Sequence, residues 1–283
     1  MATLLQLLNA AEQSIWKTKG KDQAKNAYRM VSTLGPALSL EDLTTQRLAG
    51  YFMELSKKRR PATHNRYRSA LVSMLTVAAE QQLLDRLPVV PPSLDEDNTR
   101  TVTWRNEWFT HLLQVMQANG AQLSVDLTKF IRLHGCRTSE ARTLKWEQLD
   151  TDEDGTIWVQ FYKTKNGEPR TIRLAKAFYP ILDRLRDQPG TDVFPISYQD
   201  YIDQFDPARK QVQDRFKLTD ETCRQLDRHC LRHTLATELV KQPVWNAFLL
   251  QKHFGWKDIT VAQRYFHVNA HDLPTYDATP AWC

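Results

Sequence analysis

HCLRHTLATEL, residues 229–239, sets two histidines and an arginine among three leucines, with no glycine or proline to interrupt a helix. On a helix His229, Arg232 and His233 stand at i, i+3 and i+4 and share a face. Leu231, Leu235 and Leu239 share a different face, which is the one expected to be buried. A helix anchored by leucines that presents arginine and histidine together suits an anionic phosphate, which a guanidinium can grip with two parallel hydrogen bonds. His229 and His233 also have the spacing of two zinc ligands, but Cys230 stands where an HExxH motif carries glutamate. As ordinary surface histidines they need no site at all.

Working outward, HFGWKDITVAQRYFHV (residues 253–268) follows on the C-terminal side. Thr260 with Gln263 reads as a capping box that opens a short helix carrying Tyr265, and Trp256 ends the FGW turn before it. A tyrosine there also fits a core residue with its hydroxyl at the surface. On the N-terminal side, LHGCRTSEARTLKW (residues 133–146) places Arg137 just after a break at Gly135 and at the start of a helix. Glu140 and Ala141 lie one turn on, and Leu144 is expected to pack inward. Arg137 fits a phosphate grip and equally a solvated or ion-paired surface residue. Between the two, TIWVQFY (residues 156–162) alternates as a strand does, and Asn166-Gly167 marks a hairpin turn. Lys165 sits immediately before that turn, where it either delivers a proton to a leaving oxygen or simply occupies a polar tip.

Further out, LPVVPPSLDEDNTRT (residues 87–101) contains Pro88, Pro91 and Pro92 and should carry no regular element, since proline lacks a donor and disfavours helix before it. A boundary near residue 95 follows, with a helical domain over 1–95 and a second domain over 102–283. The first half is helical in period. Leu4, Leu5, Leu7, Leu8 and Ala11 form one stripe, and Tyr67, Ala70, Leu71, Met74, Leu75 and Ala78 another. Leu43 to Leu55 makes a third stretch, begun by Ser39 to Asp42 as its start signal. A four-helix or similar small bundle is expected there. Lys57, Lys58, Arg59 and Arg60, with Arg66 and Arg68 beyond, form a basic run suited to a DNA backbone or to a solvated loop.

The whole chain has 283 residues, 41% of them hydrophobic, and a net charge of +5. That length is comfortable for two domains, and the mild cationic excess is compatible with a polyanionic partner. Four cysteines without CxxC spacing argue for a reducing compartment. The N-terminus lacks the order of a secretion signal, and no run approaches the roughly 20 apolar residues of a membrane span. A cytoplasmic protein is expected.

Taken together the four segments resemble the catalytic domain of the tyrosine recombinases, the phage integrase family. That family orders its residues as arginine, hairpin lysine, His-x-x-Arg, a histidine or tryptophan in a glycine-containing turn, and a nucleophilic tyrosine. The resemblance supplies Arg137, Lys165, His229, Arg232, Trp256 and Tyr265 in that order and spans residues 102–268, while residues 65–84 resemble the last helix of the family's core-binding domain. It departs from the family at Cys230, where an acidic residue is usual, and at Trp256, where most bacterial members carry histidine. It leaves no room for an arm-binding domain.

The resemblance implies a mainly α fold with a small antiparallel β-sheet in the catalytic domain, a helical-bundle N-terminal domain, and a two-domain clamp on DNA. It implies a site-specific recombinase of phage, plasmid or chromosomal origin that breaks and rejoins duplex DNA through a 3′-phosphotyrosine at Tyr265. Arg137 and Arg232 would grip the non-bridging oxygens, His229 and Trp256 would add donors, and Lys165 would protonate the departing 5′ oxygen. No cofactor and no metal are called for, because the bond energy stays in the phosphotyrosine. A tetramer on DNA and accessory DNA-bending proteins are the implied partners, with the tail over 269–283 as a link between protomers. A DNA-relaxing topoisomerase of the same chemistry and a non-catalytic DNA-binding regulator are the alternatives.

Overall fold

The computed structural model of the chain describes residues 2–17, 20–84, 86–96, 101–162 and 169–266. The chain divides into two units, Met1–Thr99 and Arg100–Cys283. In the first, α1 (Leu4–Ser14) is capped at Thr3, whose hydroxyl accepts the Gln6 N–H while Gln6 returns a bond to the Thr3 N–H. It buries Leu4, Leu7, Leu8 and Ala11. The second helix, α2 (Lys21–Leu34), is not legible as an apolar stripe, because its buried side is built largely of the small or flexible Ala24, Ala27, Met30 and Val31. Then come α3 (Thr45–Lys58) and α4 (Pro61–Glu80).

The start of α3 corrects the sequence expectation. Thr44, whose hydroxyl accepts the Arg47 N–H at 3.2 Å, is its cap. Ser39 instead pairs with Thr3 in a β-bridge, and Leu40 and Leu43 are drawn into the core before the helix begins. Proline in the first turn of α4 costs no hydrogen bond, and the helix buries the expected stripe from Tyr67 to Ala78. Among the described residues of 87–101 there is no helix or strand. That segment is tied to α4 instead: Arg68 Nε donates to the Pro91 carbonyl at 2.6 Å, and Asn65 exchanges two hydrogen bonds with the Leu94 backbone.

The second unit begins with α5 (Asn106–Ala118), α6 (Gln122–His134) and the short α7 (Thr138–Arg142). Strands β1 (Leu149–Thr151), β2 (Ile157–Phe161) and β3 (Arg170–Arg173) form an antiparallel sheet in that order. Register places Val159 opposite Ile172 and Phe161 opposite Arg170, so Arg170 shares the face of buried Val159, Phe161 and Ile172. The hairpin tip with Lys165, Asn166 and Gly167 lies outside the described residues. The chain continues through α8 (Tyr179–Arg186), α9 (Tyr198–Phe216), α10 (Asp220–Gln225), α11 (Arg228–Leu239), α12 (Ala247–Phe254) and α13 (Ile259–Gln263).

The core of this unit gathers Trp104, Phe130, Phe178, Phe194, Tyr201 and Phe205, with α6 packed on α11. Trp104 precedes α5, and its backbone N–H donates to the Thr234 hydroxyl on α11 at 2.9 Å. Cys230 is fully buried beside this contact, its thiol 3.2 Å from the Val102 carbonyl. The family's usual acidic position thus serves packing in this chain. Helix α13 is capped by Asp258, whose carboxylate accepts the Thr260 N–H at 2.8 Å, and not by a Thr260–Gln263 box. Tyr265 lies in the turn beyond α13.

Candidate active site

Arg232 is the fixed point of the site. Only 3% of it is exposed, although the helical pattern places it on the same face as its histidine neighbours. Its guanidinium donates to the carbonyl of Gly135 at 2.6 Å and to that of Phe254. These carbonyls stand at the C-terminal ends of α6 and α12, where helical backbone leaves acceptors unmet and the dipoles present negative charge. Burial lowers its pKa to about 9, helped by the neighbouring charges of Arg137 and Arg170, so it remains cationic at neutral pH.

Two glycines permit the close approach. Gly135 has φ +63°, and a Cβ there would lie 2.4 Å from the Phe254 ring. Gly255 has φ +61°, and a Cβ there would lie 2.9 Å from the Arg170 Cδ.

Arg137, the residue before α7, joins Arg232 through a shared carboxylate environment. Glu140 accepts the Arg137 N–H at 2.8 Å and its Nη1 at 2.7 Å. Arg170 approaches the same carboxylate with Nη2 at 2.7 Å and Nη1 at 3.2 Å, and its Nε donates to the His253 carbonyl at 3.1 Å. Burial alone would raise the Glu140 pKa, but the bonds and charge of Arg170, then Arg137, outweigh it and hold the carboxyl at about 2. Two guanidiniums therefore bond one carboxylate, with the Arg232 charge near them, and the excess positive charge is suited to an anion.

Buried His134 and half-buried His253 brace this corner as neutral groups. His134 Nδ1 lies 2.9 Å from the Phe130 carbonyl while its Nε2 accepts the Ala175 N–H at 2.9 Å, which fixes one neutral tautomer. His253 Nε2 meets the His134 carbonyl at 3.1 Å. Burial depresses both to about 4.

Tyr265 completes the arrangement. Arg232 lies 4.8 Å from the centroid of the Phe254 ring, Phe254 stacks on Trp256 at 4.8 Å, and Trp256 stacks on Tyr265 at 5.4 Å and 11°. The tyrosine hydroxyl is 3.2 Å from His233 Nδ1. Thus Arg137, Arg232, Trp256 and Tyr265 are brought into one connected site, while His229 lies exposed in the first turn of α11. His233, not His229, is the α11 histidine at the tyrosine hydroxyl.

Glu140 and Arg170 join the candidate site, and the sequence motifs give them no role. The signal for Arg170 is the alternation of β3, which puts it in phase with Ile172 and therefore inward. Of the basic run, Lys57, Lys58, Arg59, Arg60 and Arg66 are exposed, with Lys57 paired to Glu54, and Arg68 is half-buried against Pro91.

Residues 109–272, more than half of the chain, match the phage integrase family model. The chain belongs to the phage integrase family. This tyrosine recombinase also has the fold of solved relatives. The Tn1549 transposon integrase in complex with transposon right end DNA is similar over 96% of this chain and 96% of that one, with 18% identity and a TM-score of 0.71. The lambda integrase dimer bound to a COC' core site is similar over 92% and 97%, with 18% identity and a TM-score of 0.70. The XerH site-specific recombinase bound to difH substrate is similar over 88% and 74%, with 18% identity and a TM-score of 0.62. Comparison with curated protein sequences gives no match. As a mainly α protein with a small antiparallel sheet, the integrase has the fold its sequence implied, and among its described residues no helix is long and apolar enough to cross a membrane.

Proposed function

We propose that this integrase cleaves and rejoins duplex DNA at specific sites by transesterification at Tyr265. The observation that carries the proposal is the column from Arg232 through Phe254 and Trp256 to Tyr265, which packs a phenol on the same line of rings as the buried Arg232 guanidinium. The Tyr265 phenol releases its proton to solvent and its oxygen attacks phosphorus, a tyrosyl–phosphate bond forms at the 3′ side, and the bond to the 5′ oxygen breaks. Charge builds on the non-bridging oxygens as this happens. Arg137 and Arg232 meet it with donors fixed in advance, which is the most effective form of electrostatic stabilisation because nothing must reorganise. His229 and the Trp256 indole N–H add neutral or cationic donors, and Lys165, assigned by resemblance, gives the leaving 5′ oxygen its proton. The phosphotyrosine keeps the bond energy, so a 5′ hydroxyl from another strand reverses the step.

The exposed cations Lys57, Lys58, Arg59, Arg60 and Arg66 are assigned to the DNA backbone. Arg68 is better explained as the anchor of the Pro91 segment. Two protomers on each of two sites would make the recombining tetramer. The tail over 269–283, which lies outside the described residues, is the proposed link between protomers.

A suicide substrate that traps the covalent intermediate tests the assignment. Tyr265→Phe should bind DNA with native affinity and form no adduct, while the native protein accumulates one. Adduct formation by the variant would move the nucleophile to another residue. Joining of strands from two separate sites by the native protein distinguishes recombination from DNA relaxation alone.

A further inference from the structure

Tyr265 stands past the end of α13, so the helix does not itself fix the direction of its side chain. Its neighbours must do so. Trp256 lies nearly parallel to the phenol ring and sets the plane in which it lies. A stacked ring can still slide and turn within that plane, and such motion moves the reacting oxygen most. The hydroxyl itself meets His233 Nδ1 at 3.2 Å, with the two rings 5.3 Å apart and inclined at 44°. His233 is held by α11, where the Thr237 hydroxyl bonds back to its carbonyl at 3.0 Å. It is also adjacent in sequence to Arg232, so one rigid helical turn carries both the guanidinium at one end of the aromatic column and the imidazole at the other.

We propose that His233 is a positioning residue for the nucleophile, fixing the Tyr265 oxygen through its Nδ1 while Trp256 fixes the ring. The proposal rests on Tyr265 being the nucleophile. Its role is geometric: the hydrogen bond, not proton uptake by the imidazole, is what the reaction requires.

The test is single-turnover adduct formation on the suicide substrate at saturating DNA, with binding measured separately. His233→Ala should slow adduct formation roughly 10- to 100-fold, the scale of a reacting atom displaced by about an ångström, with DNA affinity unchanged. His233→Asn, whose amide can reach the hydroxyl from the position of Nδ1, should return the rate to within about threefold of native, as expected when a neutral hydrogen bond is restored. A substrate with a 5′-thiolate leaving group should not rescue His233→Ala, since the fault lies in attack and not in departure.

Three results overturn the proposal: native rates in His233→Ala, an Asn variant as slow as the Ala variant, or rescue by the sulfur substrate. Tyr265→Phe run in parallel keeps the two ideas apart. An adduct in that variant removes the nucleophile assignment, whereas its absence alongside native rates in His233→Ala removes only the role of His233.

Discussion

The two units of this integrase hold cations in opposite ways. In the N-terminal unit Lys57, Lys58, Arg59, Arg60 and Arg66 are all exposed around the junction of α3 and α4, on flexible stems. In the catalytic unit Arg170 and Arg232 are buried, and their guanidiniums are held by backbone carbonyls or by Glu140. Exposed cations attract a phosphate backbone from any direction and are screened by salt. Buried ones act at a single point, in a medium of low polarity, and must be satisfied by the protein before DNA arrives. On the proposed function the first arrangement would serve affinity and the second chemistry, so substitutions in the two units should change different measurements.

The largest effect is expected at Arg232. Arg232→Ala should lower single-turnover adduct formation at saturating DNA by roughly 100- to 1000-fold, the range for loss of a preorganised donor. Arg232→Lys should recover little of this, because one ammonium cannot reproduce the planar fork that reaches the Gly135 and Phe254 carbonyls together. A lysine variant close to the native rate would mean that charge alone suffices, and the distinction between the two sets of cations would lose its basis.

Much of this contrast is legible in the sequence, and the exceptions have physical causes. Arg137, Arg232, Trp256 and Tyr265 stand out because their order, beside glycine breaks and helical spacing, resembles that of the family. The depth of Arg232 does not, because helical periodicity sorts residues onto faces but cannot tell which polar side chain will find buried acceptors. Those acceptors, at Gly135 and Phe254, are far away in sequence. Arg170 is hidden for a related reason: an arginine in a short strand reads as solvent-facing until register places it opposite Phe161. His233 has no role that its sequence position alone could assign, since the turn that brings Tyr265 to it depends on the packing of α12 and α13. The caps expected at Ser39 and Thr260 are both misplaced, because several candidate serine, threonine and aspartate residues precede each helix and only tertiary packing chooses among them.

Acid should weaken the catalytic corner before it reaches ordinary carboxylates. His134 and His253 have pKa values of about 4 in the folded protein, below the ordinary 6.5, because burial disfavours their charged forms. The unfolded chain therefore binds more protons below pH 6.5, and stability is lost as pH falls from there towards 4. At pH 5 this amounts to about 2 kcal/mol for each histidine. Glu140 acts in a lower window: held at about 2 against an ordinary 4.5, it contributes stability that is present above 4.5 and lost as pH falls towards 2. Hydrogen exchange of amides in α6 and α12, corrected for intrinsic rates, should show protection falling between pH 6.5 and 5. His253→Gln should flatten that dependence. A pH dependence unchanged by the substitution would show that His253 is not one of the titrating groups.

The smallest effects are expected at the surface of the N-terminal unit, and they sharpen the comparison most directly. Lys58→Gln, Arg59→Gln and Arg66→Gln should each reduce the slope of log affinity against log salt by about 1 for every phosphate that the cation no longer neutralises. Each should leave the adduct rate at saturating DNA unchanged and alter stability by less than about 0.5 kcal/mol. Arg68→Gln should behave in the reverse manner. Its guanidinium is committed to the Pro91 carbonyl, so the variant should lose about 1 kcal/mol of stability with the salt slope intact. Salt titrations of DNA binding and urea unfolding of the same four variants decide the matter. If Arg68→Gln changes the slope as the others do, Arg68 belongs with the DNA-facing cations, and its bond to Pro91 exchanges for a phosphate when DNA binds. If Lys58, Arg59 or Arg66 changes the rate at saturation, that residue acts on the reaction after binding, and exposure no longer separates the cations that attract DNA from those that act on the phosphate.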